Sequence, residues 1–278
     1  IDPGTLGVSA DAVRSVTNEH TRAVVAMHYA GVAAPVDELA DEWTDAGIDL
    51  VEDAAHGLGA TLDGRPLGRL GRFGCLSFHR TKNLSALEGG ALLANRPEDV
   101  ERVLVAVDKG TDRAAFEQGR TRSYEWQGLG WAWRMPEAGV RYLREELPGL
   151  DAVQARRQEV WATYQAELTG WADERGVALP VVPPGRTGPA HLYFLVLPSA
   201  ADRPAFVEHC RRHGVQAARH YGSMPSSPFG RSIRLPSDAC PVADDLADRL
   251  VRIPLHQDLS DDAVAQVVEA ICSWAPSA

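Results

Sequence analysis

Along the first half of the chain, short apolar runs alternate with stretches of helical spacing. Ala23-Val24-Val25-Ala26-Met27 is an unbroken apolar run and reads as a buried strand. Val36, Leu39, Ala40 and Trp43 recur at helical spacing after Pro35. Ile48-Asp49-Leu50-Val51 reads as a second strand and ends in Glu52-Asp53. Gly64, Gly68 and Gly71 then mark turns in a segment from Gly57 to Gly74. Cys75 to His79 and Gly89 to Ala94 read as further strands, and Pro97 to Val107 as a helix with proline near its start. Strands alternating with helices predict an α/β layer fold around a mostly parallel sheet. Ligands in such sheets sit at the carboxyl ends of strands. Asp53 and Lys82 each follow a strand, so the two are expected to face one crevice.

The pattern changes after residue 108. Lys109 to Arg134 is polar, rich in arginine and aromatic, with Tyr124, Trp126, Trp131 and Trp133, and has no clean period. It reads as a long surface loop, and loops of that length are more often functional or interface-forming than idle. Helices are predicted at Pro136–Glu146 and at 150–170. A smaller α+β unit follows, with strands near 177–180, 191–197 and 215–219 and helices at 202–213, 242–252 and 260–274, the last capped by Ser260. A boundary near residue 150 divides the chain into 1–150 and 151–278.

Composition narrows the classes. The 278 residues are 45% hydrophobic and 24% charged, which excludes an intrinsically disordered chain. With 28 basic and 38 acidic residues the formal net charge is -10, which argues against a nucleic-acid partner. No apolar run approaches the ~18 residues of a membrane span. Cys75, Cys210, Cys240 and Cys272 lie far apart without zinc-like spacing and fit a reducing cytoplasm. His209 and His213 lie four apart on a helix, but without an acidic third ligand they read as a solvated face rather than a metal site.

Two features stand out from these averages. The chain begins at Ile1 in a turn-like Ile1-Asp2-Pro3-Gly4 and reads as a piece of something longer. The only lysines are Lys82 and Lys109. GC-rich codon usage turns exchangeable lysines into arginines. Either chance or a need for a deprotonated amine, which arginine cannot supply, keeps the two that remain. Asp53 itself reads either as a helix N-cap or as a ligand-facing carboxylate, and Lys82 either as a solvated lysine or as a Schiff-base amine. Taken together they match what a pyridoxal phosphate enzyme requires: a lysine for the cofactor aldehyde and a carboxylate that keeps its pyridine nitrogen protonated.

The runs Val51-Glu52-Asp53-Ala54-Ala55-His56-Gly57, Ser77-Phe78-His79-Arg80-Thr81-Lys82-Asn83 and Glu88-Gly89-Gly90-Ala91-Leu92 resemble the DegT/DnrJ/EryC1/StrS sugar-nucleotide aminotransferases. Further runs are His28-Tyr29-Ala30-Gly31, Asp108 to Arg113, Tyr124-Glu125-Trp126 and Arg252-Ile253-Pro254-Leu255-His256. They most resemble the dTDP-4-amino-4,6-dideoxygalactose transaminases. The resemblance implies a fold-type-I, aspartate aminotransferase-like large domain with a smaller C-terminal domain, pyridoxal 5'-phosphate as cofactor and a homodimer. It implies transfer of an amino group, with L-glutamate as donor, to the 4-keto carbon of a dTDP-4-keto-6-deoxyhexose.

By the same resemblance Lys82 is the catalytic amine and Asp53 pairs with the pyridinium nitrogen. His56 stands near the cofactor's phenolic oxygen where many members carry glutamine, and Ser77 binds the cofactor phosphate. His220, Tyr221 and Arg134 fall in substrate-side motifs. Two departures are visible. About a hundred residues that precede this region in the family, a domain-sized share, have no counterpart here. They carry much of the phosphate cup, so their lack predicts an open hydrophobic face. Ala132 replaces a phosphate-binding asparagine in Gly130-Trp131-Ala132-Trp133-Arg134-Met135. The alternative reading is a non-catalytic family member that retains fold and partner binding.

Overall fold

A computed structural model describes residues 1–38, 40–233 and 239–276. In chain order the first half runs α1 (Ala10–Val16), β1 (Ala23–Met27), α2 (Ala40–Asp45), β2 (Asp49–Asp53), β3 (Thr61–Leu62), β4 (Arg65–Pro66), β5 (Phe73–Ser77), β6 (Gly90–Ala94), α3 (Val100–Val107), α4 (Arg113–Glu117) and α5 (Glu137–Glu146). The second runs α6 (Leu150–Arg175), β7 (Arg186–Thr187), β8 (Tyr193–Val196), α7 (Asp202–Arg212), α8 (Pro228–Ile233), α9 (Pro241–Arg249), β9 (Leu250–Ile253) and α10 (Asp261–Cys272).

The central sheet has the order β1-β2-β5-β6. β1 and β5 flank β2 in parallel, with Met27 opposite Asp53 and Asp53 opposite Cys75; β6 returns antiparallel, with Gly90 opposite Ser77. Alternation along the strands sends Ala26, Leu50 and Glu52 to one face, where Val36, Trp43 and Leu67 share their core. The other face leaves Val25, Cys75 and Leu92 exposed.

Glu52 is fully buried in that core and is hydrogen-bonded throughout. Its carboxylate accepts the amide N–H of Gly68 at 2.7 Å, of Leu70 at 2.6 Å and of Gly71 at 2.7 Å. His28 Nε2 lies 3.0 Å away, and His28 Nδ1 accepts the Ala34 N–H, so the ring proton sits on Nε2 and is donated to Glu52. Burial alone would raise the Glu52 carboxyl, but the hydrogen bonds from His28, Gly71 and Gly68 outweigh it and hold the group below the ordinary range. The loop entering β5 is thereby tied to the end of β2.

The β8–β9 ribbon joins the two halves. All of β8 is buried, because Tyr193 and Leu195 face the core of α6, α7 and α10 while Phe194 and Val196 meet Leu6, Tyr29 and Ala30 of the first half. Full burial of each such side chain is worth about 1.5–3 kcal/mol. Tyr29 and the turn after β2 are thus brought beside β9. Gly31, at φ +82 in the turn after β1, permits this close approach, since a Cβ there would strike the His56 carbonyl and Pro189.

Several elements differ from the sequence reading. The helix expected to reach residue 252 stops at Arg249, and Leu250–Ile253 forms β9 against β8, Val251 opposite Leu195. Residues 177–180 and 215–219 form no full strand, only single bridges, Ala178 to Val196 and Ala218 to Arg252. α6 runs past Gly170 and ends where Gly176 takes the left-handed conformation at φ 63. The 109–134 loop contains α4 and is pinned by bridges of Asp108 to Ala132 and Thr111 to Trp126. Of the expected helical quartet, Val36 precedes α2 and Leu39 lies outside the described residues. Ser260 caps α10 as expected, accepting the Ala263 N–H at 3.2 Å.

Candidate active site

Asp53 closes β2 and Ser77 closes the neighbouring parallel β5, so both sit at carboxyl ends. Beyond Ser77 the β5–β6 ladder continues through Phe78 to Gly89 and Arg80 to Leu87, and Lys82 sits in the turn, its N–H donated to the His79 carbonyl at 2.9 Å. Lys82 is half-buried. Burial pulls its ammonium below the usual lysine range, and the Asp53 carboxylate is close enough to work against that shift. Asp53 is itself oriented locally, accepting the Ala55 N–H at 3.1 Å. Among the described residues, Ser77 Oγ accepts one long 3.3 Å bond, from the His79 N–H.

Lys82 opens into a cavity of about 230 Å³ that His56, His191 and His220 also line. The His56 and His191 rings stack at 4.3 Å, and His56 and His220 lie 6.0 Å apart. Burial is the main cause that lowers each imidazole. It takes His56 to about 3, with the Lys82 and His220 charges adding to it, and His220 to about 4, with Arg252 and Lys82 adding. His191 falls well below the ordinary value for the same reason, with His56, Lys82, Arg157 and His220 contributing. All three rings are therefore neutral at neutral pH.

Hydrogen bonds set the orientations of His191 and His220. Gln154 of α6 donates to the Leu58 carbonyl at 2.7 Å and accepts from Asn83 Nδ2 at 2.8 Å; Asn83 Nδ2 also donates to the Pro189 carbonyl at 2.8 Å. With its amide nitrogen so used, Asn83 presents Oδ1 to His191 Nδ1 at 2.9 Å, and that ring nitrogen must carry the proton. Arg157 holds the same segment by donating to the carbonyls of Ala190 at 3.0 Å and His191 at 2.5 Å. Tyr29 Oη donates to the His220 carbonyl at 3.0 Å and lies 2.9 Å from its Nδ1. Burial pushes the Tyr29 phenol up, so it keeps its proton. His56 Nδ1, by contrast, is buried and has no partner among the described residues.

The structure thus brings Lys82, Asp53, His56 and His220 together at one end of the sheet, with Ser77 at the adjacent strand end. Tyr221 lines the same cavity and is largely exposed. Arg134 lies elsewhere: exposed, it pairs with Asp108 and Glu117, each at 3.0 Å. Lys109 stands in the loop with its N–H on the Trp131 carbonyl. His209 and His213 use ring nitrogens on the Ala270 carbonyl, Ser273 and the His209 carbonyl. Sequence reasoning gives no role to Tyr29, Arg157, His191 or Arg252. His191 bonds Asn83 across 108 residues, and neither residue type nor spacing signals such a pairing.

The site is thus a half-buried lysine in the turn beyond β5, with the Asp53 carboxylate near enough to act on its charge and three neutral histidines on the same cavity. Residues 1–272 match the DegT/DnrJ/EryC1/StrS aminotransferase family, and the chain belongs to it. Among solved structures it is similar to the aminotransferase TlmJ of Streptoalloteichus hindustanus, with 27% identity and a TM-score of 0.86 over 98% of this chain and 71% of that one. The sugar aminotransferase CalS13 of Micromonospora echinospora is similar at 26% identity and TM-score 0.87, over 99% and 73% of the two chains. DesV of S. venezuelae, solved in complex with a ketimine intermediate, is 26% identical with a TM-score of 0.87 over 98% and 70%. An uncharacterised protein of Methanocaldococcus jannaschii is 25% identical over 278 residues, 98% of this chain and 71% of its own. Among the described residues no helix is long and apolar enough to cross a membrane.

Proposed function

We propose that the protein is a pyridoxal 5'-phosphate-dependent sugar aminotransferase that acts on a dTDP-4-keto-6-deoxyhexose, with L-glutamate as the amino donor. The observation that carries this reading is Lys82: a half-buried amine, lowered by burial, near enough to Asp53 at the carboxyl end of parallel strand β2 for the carboxylate to act on its charge. The residues fit the cofactor. His56 Nδ1 is a buried polar atom still lacking a partner, and the Ser77 hydroxyl has spent only one weak bond. When bound, the cofactor supplies an electron sink for the carbon that loses or gains the amino group.

The chain's own groups do the rest. Lys82 Nζ, eased toward its neutral form, would hold the cofactor through its aldehyde and, once free, serve as the base that holds and moves a proton. Asp53 would hold a proton on the pyridine nitrogen by offering it a carboxylate. Neutral His56 would meet the phenolic oxygen, and Ser77 would donate its hydroxyl proton to the phosphate. His220 and Tyr221, which line the same cavity, take the substrate side. For Arg134 to bind substrate it must first leave Asp108 and Glu117. A homodimer and a cytoplasmic setting belong to the same reading, as does a division into a large cofactor-binding part and a small C-terminal part near residue 150.

Incubation with pyridoxal 5'-phosphate followed by borohydride tests it. Peptide mass mapping is expected to place the reduced adduct on Lys82, with none on Lys109, and Lys82→Arg is expected to abolish it because a guanidinium stays protonated. An adduct on Lys109, or an unchanged yield in Lys82→Arg, overturns the assignment.

A further inference from the structure

The residue after Lys82 is a buried asparagine whose side chain is spent on the second half of the molecule. Asn83 Nδ2 donates to Gln154 and to the Pro189 carbonyl, and Oδ1 accepts the His191 Nδ1–H at 2.9 Å. His191 reaches it from an unusual backbone. Ala190, just before it, stands at φ 47, the left-handed region that a residue with a Cβ adopts only under constraint. Arg157, buried on α6, supplies that constraint by donating to the carbonyls of both Ala190 and His191. The ring so held lies against His56, with centroids 4.3 Å apart and planes inclined by 29°. Tyr29 and His220 approach the His56 ring less closely, at 5.9 and 6.0 Å. His56 Nδ1 is buried without a partner among the described residues, so ring packing rather than hydrogen bonding sets where that imidazole points.

We propose that His191 is a positioning residue: anchored to Asn83, it is the plate against which the His56 imidazole is held in the Lys82 cavity. What His56 meets there rests on the aminotransferase reading above; that His191 sets its place does not. A buried imidazole without a hydrogen bond is free to turn about its two side-chain torsions unless a neighbouring face stops it. A ring stacked at 4.3 Å is such a face, and it also keeps water from the imidazole it covers. Because Asn83 follows Lys82 directly, one side chain registers both the turn that carries the amine and the plate beside it. The amine and His56 are therefore aligned through the second half of the chain, although both belong to the first.

Histidine-selective 15N NMR of the full chain without cofactor follows the His56 titration directly. In His191→Ala water takes the place of the plate, and the His56 titration is expected to move up from about 3 by about one pH unit or more. His191→Gln still offers Asn83 Oδ1 a donor but has no ring plane. It is expected to behave as His191→Ala does, and it stands in for that variant if the alanine chain does not fold. His191→Phe keeps the plane and is expected to hold the His56 titration within about half a unit. The charges that reach His56 are those of Lys82 and His220, and none of these variants alters either. In the cofactor-loaded chain the pH midpoint of the cofactor's visible absorbance is expected to shift in the same order, alanine more than phenylalanine. An unmoved His56 titration in the alanine and glutamine variants overturns the proposal, even where urea unfolding shows both destabilised, because a purely structural histidine would behave so. A shift in His191→Phe as large as that in His191→Ala overturns it too. If borohydride leaves no cofactor on Lys82, it is the aminotransferase reading that fails, and the NMR titration still decides what His191 does.

Discussion

Two buried polar clusters lie within one turn of each other on either side of Asp53, and they are built on opposite rules. Around Glu52, every charge and lone pair has a partner: one carboxylate meets three backbone amides and His28, whose second nitrogen is also used. Around His56 the accounts are left open: three neutral rings, an unpartnered Nδ1 and a lowered lysine share a cavity without a carboxylate on its walls. A fully satisfied polar cluster fixes a backbone, whereas an under-satisfied one needs a ligand to complete it. The fold thus places two acids side by side, Glu52 facing the core and Asp53 the opposite face of the same strand.

The comparison breaks most sharply at Glu52. Glu52→Ala leaves four donors facing an apolar core, and the expected loss is roughly 3–5 kcal/mol of stability. Urea unfolding at pH 7 measures it. A loss below about 1 kcal/mol would mean that water or rearrangement satisfies those amides, and the distinction between the clusters would then be lost.

The next test separates the clusters by pH. His56 titrates near 3 in the folded protein and near 6.5 when unfolded. The unfolded chain takes up this proton first, so the stability conferred by the neutral ring is whole above pH ~6.5 and declines as the pH falls toward the folded value. Between pH 7 and 5 this amounts to about 2 kcal/mol for His56, and His56→Gln is expected to remove that much of the pH dependence. Glu52, whose folded pKa is depressed, keeps its contribution through this range and loses it only at pH values below the ordinary glutamate one. Urea midpoints at the two pH values that coincide for His56→Gln and the unmutated chain would show that the histidines are already solvated.

The strands that carry both clusters were legible in the sequence, as were Lys82 and Asp53 of the open cluster; its histidines entered only through the resemblance, or not at all. β1, β2, β5 and β6 follow from apolar runs bounded by turn residues, and Asp53, Ser77 and Lys82 from the runs around them. β9 was not legible: Leu250 and Val251 continue the helical pattern of α9 without a glycine or proline to stop it, and only pairing with β8 decides. Arg157 sits within the long helix α6, where an arginine reads as surface, yet it is buried against residues 190 and 191. His191 falls in a strand-like run whose apolar neighbours conceal it. Such residues are placed by contacts a hundred positions apart, which no local period encodes.

The smallest effect on stability sharpens the contrast furthest. Ser77 ends β5 half-buried, and its hydroxyl accepts one 3.3 Å bond while keeping its own proton unassigned among the described residues. Removing it costs the fold almost nothing, so Ser77→Ala is expected to unfold within about 0.5 kcal/mol of the unmutated chain. Its affinity for pyridoxal 5'-phosphate, followed by fluorescence titration, is expected to fall by about tenfold, the value of one hydrogen bond to a charged phosphate. Glu52→Ala should behave in the reverse sense: a large loss of stability, with affinity following only to the extent that the chain unfolds. A Ser77→Ala variant that destabilises the chain and leaves cofactor affinity intact would make Ser77 part of the structural set. The boundary between the clusters would then run beyond β5 rather than between Glu52 and Asp53.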